Sequence, residues 1–369
     1  MMFLNLLIIL YAAVLGYFTL LWSRIISVSA AEKKLLGVSV VIPFRNEEHN
    51  LIPLINSLTK IDYPHHLLNF IFVNDHSQDA SLKILNASLQ SFPFRYKVIS
   101  LSDNSEGKKS ALIQGISYSD AELILTTDAD CYLPANWVRE MQASFHNQSI
   151  QLVSGSVVFK AKNFLSKVFQ MEFAPLIGVG AISIQKGNAT MANGANLAFR
   201  RNTFILLQPF EDNLHIPTGD DIFLLQKISS KYPQGVYFQK SAVVVTGAPT
   251  LREFVNQRIR WASKWKAASE RKSKIPAIAV WSFHLLYLIA LGTLFQAPQN
   301  VFLLLAVMAK AVAEYIFIHS ILRDQQQTTG FLPFCFLQFF YSIYVVLFGL
   351  LANFATYQWK GRNYGKYDR

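Results

Sequence analysis

An α/β fold with a largely parallel sheet, set between apolar helices, is the class this sequence predicts. Three observations predict it. From Val38 to about Leu133, short apolar runs alternate with helix-patterned segments, the order of a βαβ series and of a helix-covered parallel sheet. Apolar residues gather at the N-terminus and in the last third instead of being spread evenly. The chain is 52% hydrophobic and only 15% charged, below the roughly 25% charge of an ordinary soluble domain.

In the α/β stretch, Val38 to Ile42 reads as a strand and Glu47 to Leu58 as a helix. Phe70 to Val73 is a second strand, followed by a helix from Ala80 to Leu89. Lys97 to Leu101 is a third, followed by a helix from Lys108 to Ile116, and Leu123 to Thr126 is a fourth. Ligands of such sheets bind beyond the carboxyl ends of the strands, which is where the polar motifs of this chain fall.

Phe3 to Trp22 carries no charge and its roughly 20 residues span about 30 Å as a helix, the thickness of a hydrocarbon core. A signal peptide requires a basic start and a small-residue cleavage site; here the basic residues Arg24, Lys33 and Lys34 follow the run. Residues 1–24 are therefore expected to be an uncleaved anchor with its following domain in the cytoplasm. Ala277 to Phe295, Val301 to Leu322 and Phe331 to Tyr357 are three further apolar segments, so 276–358 is expected to be a membrane region of about three helices. Lys310 and Glu314 lie inside the second of these at i and i+4. An intramembrane charge pair is a functional candidate, and a mutually neutralising structural pair fits equally. Four crossings place the tail outside, whereas Lys360, Arg362, Lys366 and Arg369 of the basic tail 359–369 favour the inside. An interfacial course for part of Phe331 to Tyr357 would resolve the conflict.

Cys131 and Cys335 are too few for a disulfide framework and suit a reducing compartment. The net charge of +11 calls for anionic partners, and lipid head groups and a nucleotide diphosphate both qualify. No recognition motif supports nucleic acid.

The fourth strand runs into Asp128-Ala-Asp130. Two carboxylates at i and i+2 on extended backbone point the same way and offer hard oxygens to Mg²⁺ or Mn²⁺; an Asp-x-Asp in a turn is also common, and its place after a buried strand favours the metal. Asn74-Asp75-His76-Ser77-Gln78-Asp79 ends the second strand. Asp75 suits a nucleotide base or ribose, while Ser77 and Asp79 suit a helix start. Gly107-Lys108-Lys109 opens a helix, and a lysine there opposes the helix dipole unless an anion is near, so Lys108 is a candidate diphosphate contact, a solvated lysine being the alternative. Pro43, Asn46 and Glu47 end the first strand, face the same region and are candidate donor-binding residues. Asn193-Gly194-Ala-Asn196 is a small polar loop that would let an acceptor come close. Asp220 and Asp221 precede an apolar helix; they serve either as N-terminal caps or as a general base. Gln257-Arg-Ile-Arg260-Trp261 lies just before the membrane region and either anchors the chain at the interface or lines an acceptor and diphosphate site.

In this order, from Pro43 to Trp261, the motifs resemble family 2 of the inverting glycosyltransferases. The resemblance covers about residues 38 to 265 and is to the membrane-bound branch holding cellulose synthase catalytic subunits, hyaluronan and poly-N-acetylglucosamine synthases and ceramide glucosyltransferase. Gln-x-x-Arg-Trp beside Asp-x-Asp is the most discriminating combination. The resemblance implies a Rossmann-like glycosyltransferase A-type domain over 36–265, a nucleotide-sugar donor and a divalent metal. It implies donor binding by Asp75 and Asp128, metal binding by Asp130 with Asp128, a base at Asp221 or Asp220, and acceptor and diphosphate contacts from Gln257, Arg260 and Trp261. Residues 164–184 would be an interfacial segment guiding a lipid-linked or growing acceptor. Two departures stand out: Asn74 occupies a position that is often acidic in the family, and the usual Glu-Asp base pair is Asp220-Asp221 here. The sequence thus predicts transfer from a UDP-sugar to the hydroxyl of a lipid, at the cytoplasmic face of a bacterial inner membrane. A processive polysaccharide synthase and a catalytically silent membrane scaffold are the alternatives.

Overall fold

The computed structural model of the chain describes residues 2–29, 34–216, 218–267, 271–351, 357–359 and 362–364. Lys33, Lys360, Lys366 and Arg369, which bear on topology, lie outside them. Two units emerge from the contacts: an α/β unit of residues 25–160 and 179–247, and a helical unit of 1–24, 161–178 and 248–369. Of the expected catalytic segment 36–265, residues 161–178 and 248–265 thus group with the apolar helices.

After helix α1 (Met2–Ser23), the α/β unit runs β1 (Val38–Phe44), α2 (Leu51–Leu58), β2 (Leu68–Asn74), α3 (Ser81–Ser88), β3 (Arg95–Ser100), α4 (Gly107–Ser117) and β4 (Leu123–Thr126). These are the predicted elements, with the first helix starting one turn later than expected, after a turn at residues 48–50. β5 (Cys131–Tyr132), α5 (Trp137–Ala143), β6 (Leu152–Lys160), β7 (Leu197–Arg200), α7 (Arg201–Leu207), α8 (Asp220–Lys231) and β8 (Val236–Gly247) complete it, together with the end of helix α6 (Phe164–Gln185), whose residues up to 178 belong to the helical unit.

One eight-stranded sheet has the order β3-β2-β1-β4-β7-β6-β8-β5. β1 pairs in parallel with both β2 and β4, Val41 facing Ile71 on one side and Thr126 on the other. β7 enters antiparallel to β4 and β6, so the sheet is mixed and mostly parallel. Every residue of β1 is buried, as expected for a β-branched run covered on both faces. Helix α4 comes close because it carries Gly115: a Cβ there would lie 2.5 Å from the Cγ1 of Val41 and 3.0 Å from the Cγ2 of Val73. That approach aims the N-terminus of α4 at the ends of β1, β2 and β4.

The helical unit holds α9 (Leu251–Ala267), α10 (Arg271–Gln296), α11 (Val301–Asp324) and α12 (Phe331–Leu351), followed by the antiparallel pair β9 (Tyr357–Trp359) and β10 (Arg362–Tyr364). Among the described residues five helices are long and apolar enough to cross a membrane, by length and composition: Met2–Ser23, Phe164–Gln185, Ala277–Gln296, Val301–Asp324 and Phe331–Leu351. The second of these, expected to be interfacial, is mostly buried within the protein. β9 packs against α9, so the described part of the tail returns to the helix that precedes α10.

Lys310 and Glu314 form a structural pair. The Lys310 ammonium donates to Glu314 Oε2 (2.8 Å) and to Gln338 Oε1 (3.3 Å). Glu314 also accepts from Gln338 Nε2 (2.7 Å) and the Tyr11 hydroxyl (2.9 Å). The pair therefore ties α1, α11 and α12 together. Removing one partner of a buried pair strands the other charge at a cost of about 3–5 kcal/mol. Glu314→Ala is expected to lower the thermal midpoint of the detergent-purified protein sharply. The double change Lys310→Met/Glu314→Leu should recover most of the loss; an unaltered midpoint in Glu314→Ala would exclude this role.

Candidate active site

Three strand ends bring the acidic motifs together. Asp75 follows β2, and its backbone N–H donates to Phe44 O (2.9 Å), joining the ends of β1 and β2. Its carboxylate is buried, and Oδ2 accepts the N–H of Gly107 (3.2 Å), the first residue of α4. Arg45 braces the same turn by donating to the carbonyls of Asp75 (2.7 Å) and His76 (2.8 Å). Asp79 accepts from the Ser81 N–H (3.0 Å) at the start of α3, so the capping role expected near this loop belongs to Asp79.

Lys108, the next residue of α4, is the centre of the site. Its ammonium lies 2.7 Å from Asp128 Oδ1 and 3.0 Å from Asp220 Oδ2. The anion that offsets the α4 dipole is thus supplied by the protein itself. Burial opposes the Lys108 charge, but Asp128 and Asp220 outweigh it and raise its pKa above the usual lysine value. Lys108 therefore remains an ammonium at any physiological pH.

Gly194 forms the floor beside this pair. A Cβ there would lie 2.8 Å from Lys108 Nζ, 2.9 Å from Asp220 Oδ2 and 3.7 Å from the Cβ of Asp221. No side chain fits without displacing the ion pair. The loop is fixed from behind: Asn193 Oδ1 accepts the Ala195 N–H (3.0 Å), and Asn193 O accepts the Asn196 N–H (3.0 Å).

Asn196 turns inward. It is fully buried, its Nδ2 donates to Ser156 O (2.9 Å) and Ala242 O (2.7 Å), and its Oδ1 accepts from Trp137 Nε1 (2.9 Å). Both ends of the amide are engaged, so Asn196 holds the loop and offers no free group to an acceptor. Asn46 and Glu47 also make framework contacts. Asn46 Oδ1 accepts the Gln78 N–H (2.8 Å), the Glu47 N–H donates to Ser81 Oγ (2.7 Å), and Glu47 Oε2 accepts from Asn50 (2.7 Å). These two knit the end of β1 to the loop after β2. Pro43 is a buried residue of β1 opposite Val73, beyond the stretch that pairs with β4, where a missing N–H leaves no gap in that ladder.

Asp220 and Asp221 open α8 after Gly219, which has a left-handed φ of 88°. Carboxylates suit a helix N-terminus. The structure separates the two: Asp220 pairs with Lys108, while Asp221 Oδ1 accepts the Ile222 N–H (2.8 Å).

Asp130 Oδ2 accepts from the Thr246 hydroxyl of β8 (3.1 Å). The neighbouring Cys131 thiol is buried, and burial beside Asp130 and Asp128 pushes its pKa well up, so it stays a protonated filler. Among the described residues no three His, Cys, Asp or Glu gather as a metal cluster. A Mg²⁺ or Mn²⁺ ion needs no such cluster where one or two carboxylates act with substrate phosphates and water, and the hard oxygens of Asp128 and Asp130 fit that arrangement. Gln257, Arg260 and Trp261 lie on α9, in the helical unit. Sequence reasoning missed Thr246 of β8, Trp137 of α5 and Gly155 of β6, at which a Cβ would fall 2.2 Å from the Asn196 amide; each is brought in by contacts between elements distant in the chain and leaves no local signal.

The family model described as "Glycosyl transferase family 2" matches residues 39–206, and that described as "Glycosyl transferase family group 2" matches residues 123–356. The chain is 26% identical over 185 residues to the glycosyltransferase AglE of Haloferax volcanii, covering 50% of this chain and 59% of that protein. It is 25% identical over 279 residues to hyaluronan synthase of Streptococcus pyogenes serotype M1, covering 70% of this chain and 66% of that one. The chain thus spans less than two thirds of the length of either relative. In fold it is similar to a mannosyltransferase, PcManGT from Pyrobaculum calidifontis, solved in complex with GDP-Man and Mn²⁺, with a TM-score of 0.58 and 16% identity over 95% of this chain and 99% of that one.

Proposed function

The chain belongs to glycosyl transferase family group 2, and from that premise we propose that it transfers a sugar from a UDP-sugar to the hydroxyl of a lipid, with inversion, at the cytoplasmic face of a bacterial inner membrane. It is a glycosyltransferase of A-type fold whose five long apolar helices suit a membrane protein. The observation that carries the finer reading is the Lys108 bridge, which joins Asp128 of the Asp-x-Asp motif to Asp220 over the floor at Gly194.

In this reading Asp75 orients the nucleotide, and Lys108 gives its ammonium to a donor phosphate oxygen. Asp128 and Asp130 would hold Mg²⁺ or Mn²⁺, which when bound would supply Lewis-acid stabilisation of negative charge on the diphosphate. Asp221 takes the proton of the acceptor hydroxyl. The acceptor oxygen bonds to the anomeric carbon from the face opposite the diphosphate, whose C–O bond breaks and whose electron pair leaves with UDP. Asp220 holds Lys108 in place between turnovers. Asn193 and Gly194 admit the acceptor by keeping the loop thin. By motif order alone, Gln257, Arg260 and Trp261 are assigned to acceptor and diphosphate.

The test is release of nucleotide by the purified full-length protein from a panel of UDP- and GDP-sugars, with a membrane lipid extract as acceptor. A UDP-sugar and a labelled glycolipid are expected, and a chelator of divalent ions should stop transfer. Transfer that is indifferent to the chelator would remove the metal role of Asp128 and Asp130. The hyaluronan synthase relative favours a second reading, a processive polysaccharide synthase; a high-molecular-weight product would establish it in place of the lipid. No turnover of any sugar would leave the scaffold reading.

A further inference from the structure

Between Gln257 and Arg260 of the motif on α9 lies Arg258, which has no part in the chemistry above. It is buried, and so is its partner Glu172 on α6. Arg258 Nε donates to Glu172 Oε1 (3.1 Å), and its second terminal nitrogen donates to Glu172 Oε2. The Tyr344 hydroxyl of α12 donates to the same carboxylate. All three residues belong to the helical unit. A forked arginine–carboxylate pair fixes the plane of the guanidinium, and here the plane is put to two further uses. Its remaining terminal nitrogen donates to Gln257 Oε1 (2.9 Å). Its face lies over the ring of Trp261 at 4.4 Å and over that of Phe254 at 4.5 Å.

Arg258 therefore touches Gln257 and Trp261, the first and last residues of the motif. With Oε1 taken, the NH₂ end of the Gln257 amide is the group turned away from Arg258. The cation over the indole holds Trp261 in one orientation. A pair meant only to fasten helices has no need of either contact; Glu172 and Tyr344 alone would suffice.

We propose that Arg258, locked by Glu172 and Tyr344, is the positioning residue of this motif: it sets the Gln257 amide and the Trp261 indole for the acceptor without touching the acceptor itself. The proposal rests on the assignment of Gln257 and Trp261 to the acceptor, and its test separates the two. Glu172→Gln, Arg258→Gln, their combination and the conservative Arg258→Lys would be made in the full-length protein in nanodiscs. The protein would carry 5-fluorotryptophan, with the Trp261 resonance assigned by Trp261→Phe. The Trp261 fluorine signal is expected to move in each single variant. Transfer to the lipid extract should show an acceptor KM raised about tenfold with kcat and donor KM nearly unchanged, the signature of lost acceptor binding. The double variant should be no worse than either single one, because the residues act as a unit. Arg258→Lys keeps the charge on Glu172 and loses the fork, so it should shift the signal with little change in thermal midpoint, which keeps the test valid if the glutamine variants fold poorly. An unmoved Trp261 signal in Arg258→Lys, or multiplicative losses in the double variant, would overturn the clamp. Unchanged transfer in Gln257→Ala and Trp261→Ala would instead overturn the acceptor assignment, and with it the functional half of the proposal.

Discussion

Asp221→Asn is expected to reduce transfer by about 10²- to 10⁴-fold, the usual worth of a positioned general base, while the protein folds normally. The substitution is isosteric, and an amide oxygen still accepts the Ile222 N–H that Asp221 Oδ1 accepts now. What is lost is one negative charge at the start of α8, worth about 0.3–1 kcal/mol against the helix dipole, and the ability to take a proton. Asp220→Asn has a different signature. It removes a carboxylate from Lys108, 3.0 Å away, and so changes the donor side first: donor KM rises while the pH dependence of kcat keeps its form. Initial rates over a pH series for both variants, with thermal midpoints as controls, distinguish the roles. Near-normal kcat in Asp221→Asn, with a collapse of kcat and a lost acid limb in Asp220→Asn, would exchange them. The Glu-Asp pattern of related enzymes left this choice open because both residues here are aspartate; the Lys108 contact is what divides them.

Much of the parallel half of the sheet is legible in the sequence, since each of its strands is a local event. Val38–Phe44 and Leu68–Asn74 are seven-residue strands built around the apolar stretches Val40–Ile42 and Phe70–Val73, and Leu123–Thr126 is bounded as read. Even Arg95–Ser100, with an exposed face, follows a helix and precedes one. Beyond Leu133 the reading thins. β7 is only four residues long and pairs antiparallel with β4 and β6. Its place depends on partners that lie tens of residues away, which hydrophobic periodicity does not record. The site divides in the same way. Asp75, Lys108, Asp128 and the Asp220–Asp221 pair stand out in the sequence because several charged residues recur at strand and helix ends that an α/β sheet brings to one side. Asn196 reads as an acceptor contact because a polar residue in a Gly-Ala loop looks available; only the buried carbonyls of Ser156 and Ala242 show where its amide goes. Arg258 was hidden for the opposite reason: it occupies a spacer position, and its partner Glu172 is on another helix.

Lys108→Ala should have the second large effect, on both catalysis and folding. If Lys108 contacts the donor as proposed, donor KM is expected to rise at least about tenfold, a change of 1.4 kcal/mol. The larger consequence is for the protein itself. Asp128 and Asp220 now share one cation; without it they face each other as like charges across the thin floor at Gly194. Removing one partner of a buried pair costs about 3–5 kcal/mol. The Asp128 side chain is 39% exposed, which screens the repulsion and reduces the loss below that range. The pH dependence identifies the cause. In the wild type, the raised pKa of Lys108 makes its contribution complete below the unfolded lysine value of 10.5. That contribution is lost only as pH rises through the folded value, so between about pH 5 and 8 it is flat. In Lys108→Ala the repulsion is relieved by proton uptake in the folded state. The folded protein then binds more protons than the unfolded one, and stability falls as pH rises across the same window. Thermal midpoints of the two proteins should therefore lie closest near pH 5 and diverge toward pH 8. Parallel midpoints across that range would mean that Asp128 and Asp220 do not repel, and that Lys108 is held for its contact with the donor alone.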